Sequence, residues 1–166
     1  MTGEAAIRSG EGGRLRLLRA TVLPEWVDYN GHMSEPYYVL VFGNATDAFY
    51  DHIGMDDATR RATATSIYTV EAHINYLREV REGERLLVET QLLKHDSKRI
   101  HLYHAMLRED DERLLATTEL MLLHVDKKAL KASPFLAHAA ARLAEVAAAH
   151  AGLATPRDAG RRIELA

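Results

Sequence analysis

The sequence predicts an α+β domain in which a curved antiparallel sheet of about five strands wraps one long central helix, with a second helix near the C-terminus. Three observations lead there. Apolar residues Tyr38, Val41, Phe42, Ala45 and Phe49 recur at helical spacing behind Pro36, so one side of that helix must be buried. Four later segments carry the alternating or continuous apolar runs of strands. The turns joining them are too short for crossover connections, which makes the pairing antiparallel.

The elements follow in order. Residues 1–13 are rich in glycine and small polar residues and read as a disordered leader. Residues 14–23 form a first strand stopped by Pro24. The long helix starts at Pro36, whose fixed φ suits the first turn, with Ser34 and Glu35 as cap and first free amides, and Gly54 ends it. Residues 57–64 read as a polar connection. In the strand 65–77, Tyr68, Val70, Ala72, Ile74 and Tyr76 alternate onto one face and Glu71, His73 and Asn75 onto the other. Strands follow at 85–95, 99–108 and 113–126. Ser133 and Pro134 start a last helix that Gly152 closes, its thin apolar stripe placing it outside the sheet or against a partner. Residues 153–166 carry no periodic signal and read as a loose tail, leaving 14–152 as one domain.

Composition narrows the function. With 166 residues, 47% hydrophobic and 27% charged, the chain can bury one real core. A net charge of −3 gives no electrostatic reason to expect nucleic acid or an anionic membrane as partner. The absence of cysteine excludes disulfides, thiolate metal sites and a cysteine nucleophile, and suits a cytoplasmic location. No apolar run reaches signal-peptide or membrane-spanning length. Nine histidines lack metal-ligand spacing, since His101 and His104 fall on opposite faces of a strand, so no metal is expected.

The element order, with D-Y-N-G-H-M-x-x-x-x-Y-Y ahead of the helix, resembles the hotdog-fold acyl-CoA thioesterases of the 4-hydroxybenzoyl-CoA type over about residues 14–128. That resemblance implies Asp28 as the catalytic carboxylate, three residues before Gly31. It also implies the Glu35 backbone amide as the oxyanion donor at the helix head. The strings V-L-P-E-W-V-D-Y-N-G-H-M, Y-T-V-E-A-H-I and A-T-T-E-L-M-L-L-H-V-D look like the betainyl-CoA thioesterases of carnitine degradation, which occur alone or fused to carnitine dehydrogenase. It implies hydrolysis of betainyl-CoA to glycine betaine and coenzyme A, with no cofactor beyond the thioester substrate itself.

Thioester hydrolysis needs a carboxylate near the carbonyl carbon, as nucleophile or as general base, and donors near its oxygen. Asp28 with Asn30 and Gly31 also suits a simple Asx turn. Glu71 and His73 are candidates to complete the site, from this subunit or a neighbour, or else form a solvated or interface ion pair, while Asn30 and His32 are candidates to orient water or Asp28, or else serve a cap or the turn. A trimethylammonium offers no N–H, so its recognition calls for aromatic faces and carboxylates. Trp26, Tyr29, Tyr37, Tyr38, Tyr68 and Tyr76, with Glu25 and Glu71, are candidates, although each ring equally suits the core. Arg78, Arg81, Lys94, Lys98 and Arg99 are candidates for the coenzyme A phosphates, or a solvated basic rim. An open sheet edge and half a cleft point to a homodimer or tetramer. Another short-chain acyl-CoA, enoyl-CoA hydration on the same fold, or a non-catalytic oligomerisation module remain alternatives.

Overall fold

The computed structural model describes residues 13–165. All of the leader except Gly13 lies outside them. Strand β1, Leu15–Thr21, runs into a 3-10 turn, Pro24–Trp26, and then helix α1, Glu35–His52. A short helix α2, Asp57–Thr63, precedes strands β2, Thr65–Tyr76, β3, Arg85–His95, β4, Arg99–Arg108, and β5, Leu114–Asp126. A two-residue strand β6, Lys131–Ala132, and helix α3, Ala137–His150, follow. The spatial order β1-β3-β4-β5-β2, with β6 on β5, is antiparallel throughout. This is the hotdog arrangement, with α1 as its filling. Among the described residues no helix is long and apolar enough to cross a membrane.

The apolar stripe of α1 explains the wrap. Its head packs Tyr38, Val41, Phe42 and Ala45 against Leu86, Val88, Met106 and Leu115. Its tail packs Phe49 and Ile53 against Ile100, Leu102 and Leu122, where Leu143 and Val146 of α3 close the core. Helix α3 is therefore a core element, and its alanines let it approach closely. Gly54 shows the same tightness: at φ 78° its carbonyl takes the His138 ring at 2.8 Å, and a Cβ there would meet that ring at 2.9 Å.

Helix α2 occupies the stretch expected to be a connection. Its cap was written in the sequence, since the Asp56 side chain accepts from the Thr59 amide at 2.8 Å.

At the waist of the core, midway along α1, lies a buried polar chain. Thr46 Oγ1 donates to the Phe42 carbonyl at 2.9 Å, which leaves it to accept from His104 Nε2 at 3.1 Å. His104 Nδ1 then accepts from Thr90 Oγ1 at 2.9 Å. The ring is fully buried, which pushes its pKa down to about 3 and holds it neutral.

The tail expected to be loose is bonded to the convex face of the sheet. Asp158 accepts from Thr117 Oγ1 at 2.6 Å, Tyr103 Oη at 2.7 Å and Asn75 Nδ2 at 3.1 Å, and Glu119 accepts from the Gly160 amide at 2.7 Å. Desolvation works against the Asp158 charge, but the hydrogen bonds from Thr117, Tyr103 and Asn75 outweigh it and hold its pKa below the ordinary 3.8. A depressed carboxylate stabilises the fold above its unfolded pKa and loses that contribution as pH falls through the folded value. Asp158→Ala should therefore cost on the order of 1–3 kcal/mol at neutral pH. Urea titrations should show this gap narrowing below about pH 4.

Candidate active site

Asp28 sits in a closed loop docked on the head of α1. An isolated antiparallel bridge joins Val27 to Met33, and the Asp28 amide donates to the His32 carbonyl at 3.0 Å. Gly31 takes φ 79°, a conformation costly for other residues, and donates to the Asp28 carbonyl at 2.9 Å. The Ser34 amide donates to the Trp26 carbonyl at 2.8 Å and the Met33 amide to Val80 at 2.7 Å, which fastens both ends of the loop. Asp28 Oδ1 accepts from the Asn30 amide at 2.8 Å, so the Asx turn fixes one oxygen and leaves the other oxygen of the half-buried carboxylate outside the turn.

Helix α1 begins at Glu35 with Ser34 as its cap, one residue ahead of Pro36, and no side chain caps it. The Glu35 amide, first in the helix, has no acceptor within it. This end carries the positive pole of the helix dipole, which favours a developing oxyanion. The Glu35 carboxylate is turned aside, accepting from Tyr76 Oη at 3.2 Å. A groove of about 390 Å³ opens there, lined by Met33, Glu35, Tyr38, Tyr76, Arg78 and Glu79 among others. Tyr38 and Tyr76 meet edge to face at 5.3 Å. Tyr38 donates to the Arg78 carbonyl at 3.2 Å, and burial first, then the nearby Glu79 and Glu84 charges, push its pKa up to about 12.

The remaining expected residues divide by position. His32, with Nε2 3.1 Å from Glu79, joins Arg78 and Arg81 around an adjoining groove of about 710 Å³. Arg108 and Arg113, not singled out from sequence, complete that basic wall, in which Glu84 pairs with Arg108 at 3.0 Å. Trp26 and Tyr37 stack on each other at 5.5 Å and brace the loop against α1. Tyr29 is 97% exposed at the loop tip, and Asn30 serves the turn through its amide.

Other expected residues lie away from Asp28 within the same chain. Glu71 and His73 lie on the convex face of β2, opposite Met121 and Glu119, away from α1 and Asp28. They line a polar hollow of about 380 Å³ with His101, Glu119 and Arg161, in which His101 and Glu119 pair at 2.6 Å. Tyr68 shares that convex face, because a bulge between Thr69 and Glu71 resets the alternation. Ile67 and Thr69, rather than Tyr68, face the helix ahead of Ala72 and Ile74. Lys98, in the β3–β4 turn, and Arg99, first in β4, lie roughly 30 Å of strand from the Arg85 end of β3, ahead of which Val80 fastens the Asp28 loop, and Arg99 is held by Asp96 at 2.7 Å. Lys94 lies at that distant end too.

A cavity missed from sequence runs beside α1 toward β2 and β5. It measures about 530 Å³ and is lined by Phe42, Asn44, Thr46, Asp47, Tyr50 and Thr118 together with aliphatic residues. The signal was present: Gly43 and Asp47, one turn apart, flank the apolar stripe of α1 where a purely solvated face would carry longer side chains.

Comparisons with known proteins agree with this geometry. The family model described as thioesterase-like superfamily matches residues 22–143. The chain is 48% identical over 144 residues to a betainyl-CoA thioesterase of Pseudomonas aeruginosa, covering 87% of this chain and 91% of that one. It is 58% identical over 115 residues to an L-carnitine dehydrogenase/betainyl-CoA thioesterase of Agrobacterium fabrum, covering 69% of this chain and 23% of the longer protein. A Pseudomonas putida KT2440 structure described as a candidate thioesterase superposes with TM-score 0.80 at 40% identity, covering 92% of this chain and 97% of that one. A Staphylococcus aureus protein solved in complex with CoA gives TM-score 0.86 at 25% identity and the same coverage. Fold, helix head and motif together place this chain in the thioesterase-like superfamily, among the hotdog-fold thioester hydrolases.

Proposed function

We propose that the protein hydrolyses betainyl-CoA to glycine betaine and coenzyme A. The observation that carries this reading is the Asp28 loop clamped to the head of α1, which brings a half-buried carboxylate to the end of the helix where the Glu35 amide is free. The thioester carbonyl oxygen accepts from that amide. Either Asp28 takes a proton from the water that attacks the carbonyl carbon and passes it to the departing thiolate as the C–S bond breaks, or Asp28 itself attacks, expels the thiolate and forms an anhydride that water then hydrolyses, freeing glycine betaine and supplying the proton that the thiolate takes up. The basic wall of Arg78, Arg81, Arg108 and Arg113 lies at the same end of the sheet and suits the phosphates of coenzyme A. The choice of betainyl-CoA is supported by 48% identity to the Pseudomonas aeruginosa relative.

The working unit in this reading is a homodimer. Strand β2 is a long outer strand, and Tyr68, Val70, Tyr76, Val39 and Leu40 are exposed along it and on neighbouring α1. Pairing through this edge would roof the cavity beside α1. Sedimentation velocity should give twice the chain mass; the mass of one chain contradicts the arrangement.

Thiol release from a panel of acyl-CoAs tests the function. Betainyl-CoA should give a kcat/KM at least about tenfold above acetyl-CoA and butyryl-CoA, which corresponds to about 1.4 kcal/mol of transition-state preference. Faster turnover of the neutral short chains removes the betaine assignment and leaves a general thioesterase.

A further inference from the structure

We propose that Asp47 is the specificity residue of this enzyme, reading the quaternary ammonium of the acyl group inside the cavity beside α1. The inference rests on the betainyl-CoA reading and names the group that distinguishes that substrate.

Asp47 is the one charged residue lining a cavity otherwise walled by aliphatic side chains, Phe42, Tyr50 and small polar groups. Among the described residues no arginine or lysine comes within salt-bridge distance of its carboxylate. A permanent cation that cannot donate a hydrogen bond is attracted by a carboxylate set among apolar and aromatic groups, and this cavity sets Asp47 beside Phe42 and Tyr50. Arg60, which is not part of the lining, already stands 5.9 Å from the Tyr50 ring.

A second, independent observation points to an occupant. Thr118 Oγ1 lines the same cavity, is buried at 1% exposure, and has no hydrogen-bond partner among the described residues. Its neighbours in the row are engaged, His104 with Thr46 and Thr90, so this hydroxyl is free to turn its oxygen toward a cation or to hold a water carried in with it.

The groove at the helix head is the rival location, since it joins Tyr38 and Tyr76 with Glu35 and Glu79. Arg78 shares that wall, however, and Tyr76 already bonds the Glu35 carboxylate. A cation there would meet another cation.

Distance then fixes where the chemistry comes from. Asp47 lies roughly 18 Å along the axis from Glu35 at 1.5 Å per residue, whereas one methylene separates the ammonium from the carbonyl in a betainyl group. A single chain cannot serve both ends. One substrate must therefore use the Asp47 cavity of one subunit and the helix head of the second.

The test compares betainyl-CoA with its uncharged carbon isostere, 3,3-dimethylbutanoyl-CoA, in the full-length wild type and in Asp47→Asn and Asp47→Glu. Asp47→Asn should lower the ratio of kcat/KM for betainyl-CoA over the isostere by on the order of 10- to 100-fold. Asp47→Glu should recover part of it. Because Asp47 is exposed in the single chain, its thermal midpoint serves as a check that the fold is kept. If the wild type prefers betainyl-CoA and Asp47→Asn retains that preference, this inference is overturned while the function stands. If the wild type shows no preference for betainyl-CoA, the functional reading falls and takes this inference with it.

Discussion

Asp28→Asn should keep the stability of the unmodified protein and lower kcat for betainyl-CoA on the order of 1000-fold, about 4 kcal/mol at the transition state. The two effects separate because the side chain has two tasks on different atoms. Oδ1 completes the turn by accepting from the Asn30 amide, and an asparagine oxygen does that equally well. In the proposed mechanism the charge and the second oxygen serve the chemistry, and asparagine removes both. Asp28→Ala, by contrast, loses turn and chemistry together, so its melting point should drop as well. An activity loss in Asp28→Asn accompanied by an equal loss of folded protein would assign this aspartate to the turn alone. Single turnover in ¹⁸O-labelled water then probes the two roles. Label in the Asp28 carboxylate with an unlabelled first product shows an anhydride opened by water at the aspartyl carbon, an outcome that a general base cannot give.

His104→Ala should destabilise the fold by about 3–4 kcal/mol, read from chemical denaturation at pH 7. The substitution opens a void under Phe42, whose ring stacks on the imidazole at 6.2 Å, and leaves the Thr90 hydroxyl without its acceptor. It also removes the link that ties Thr46 of α1 to the sheet. The pH dependence gives this residue a signature. The unfolded imidazole takes up a proton near 6.5, whereas burial holds the folded one down at about 3. Between those values the unfolded chain binds more protons, so wild-type stability should fall as pH drops, by up to about 1.4 kcal/mol per unit. His104→Ala should lose that part of the slope. A variant that keeps the wild-type slope would show that the slope comes from other groups and that burial does not hold the His104 pKa down.

Much of the fold was legible because its signals are local. The stripe on α1, the turn at Asp96 to Lys98 and the acidic turn before β5 each fix an element or its neighbour, and strands β3 and β4 fall on the residues expected. What was not legible depends on contacts far apart in sequence. The bulge in β2 cannot be seen in its own residues, since Thr69 to Glu71 read as unbroken strand, yet it turns Tyr68 away from the helix. Glu71 and His73 look like a site because carboxylate and imidazole alternate on one face, but that face is the convex one. Asp158 carries no periodicity, and its three donors come from β2, β4 and β5. At the site, the Asp28 motif was plain in the sequence. Asp47 was hidden because attention to the buried stripe of α1 passes over the residues beside it, and only the curl of the sheet turns them into a cavity wall.

The most direct test of a carboxylate working at the head of α1 is a time course of betainyl-CoA with the purified, unmodified protein, following free thiol and glycine betaine together. Equal amounts of both should form, at a rate that Asp28→Asn lowers on the order of 1000-fold. Thiol remaining at the level of buffer alone, or released as fast by Asp28→Asn, would contradict it.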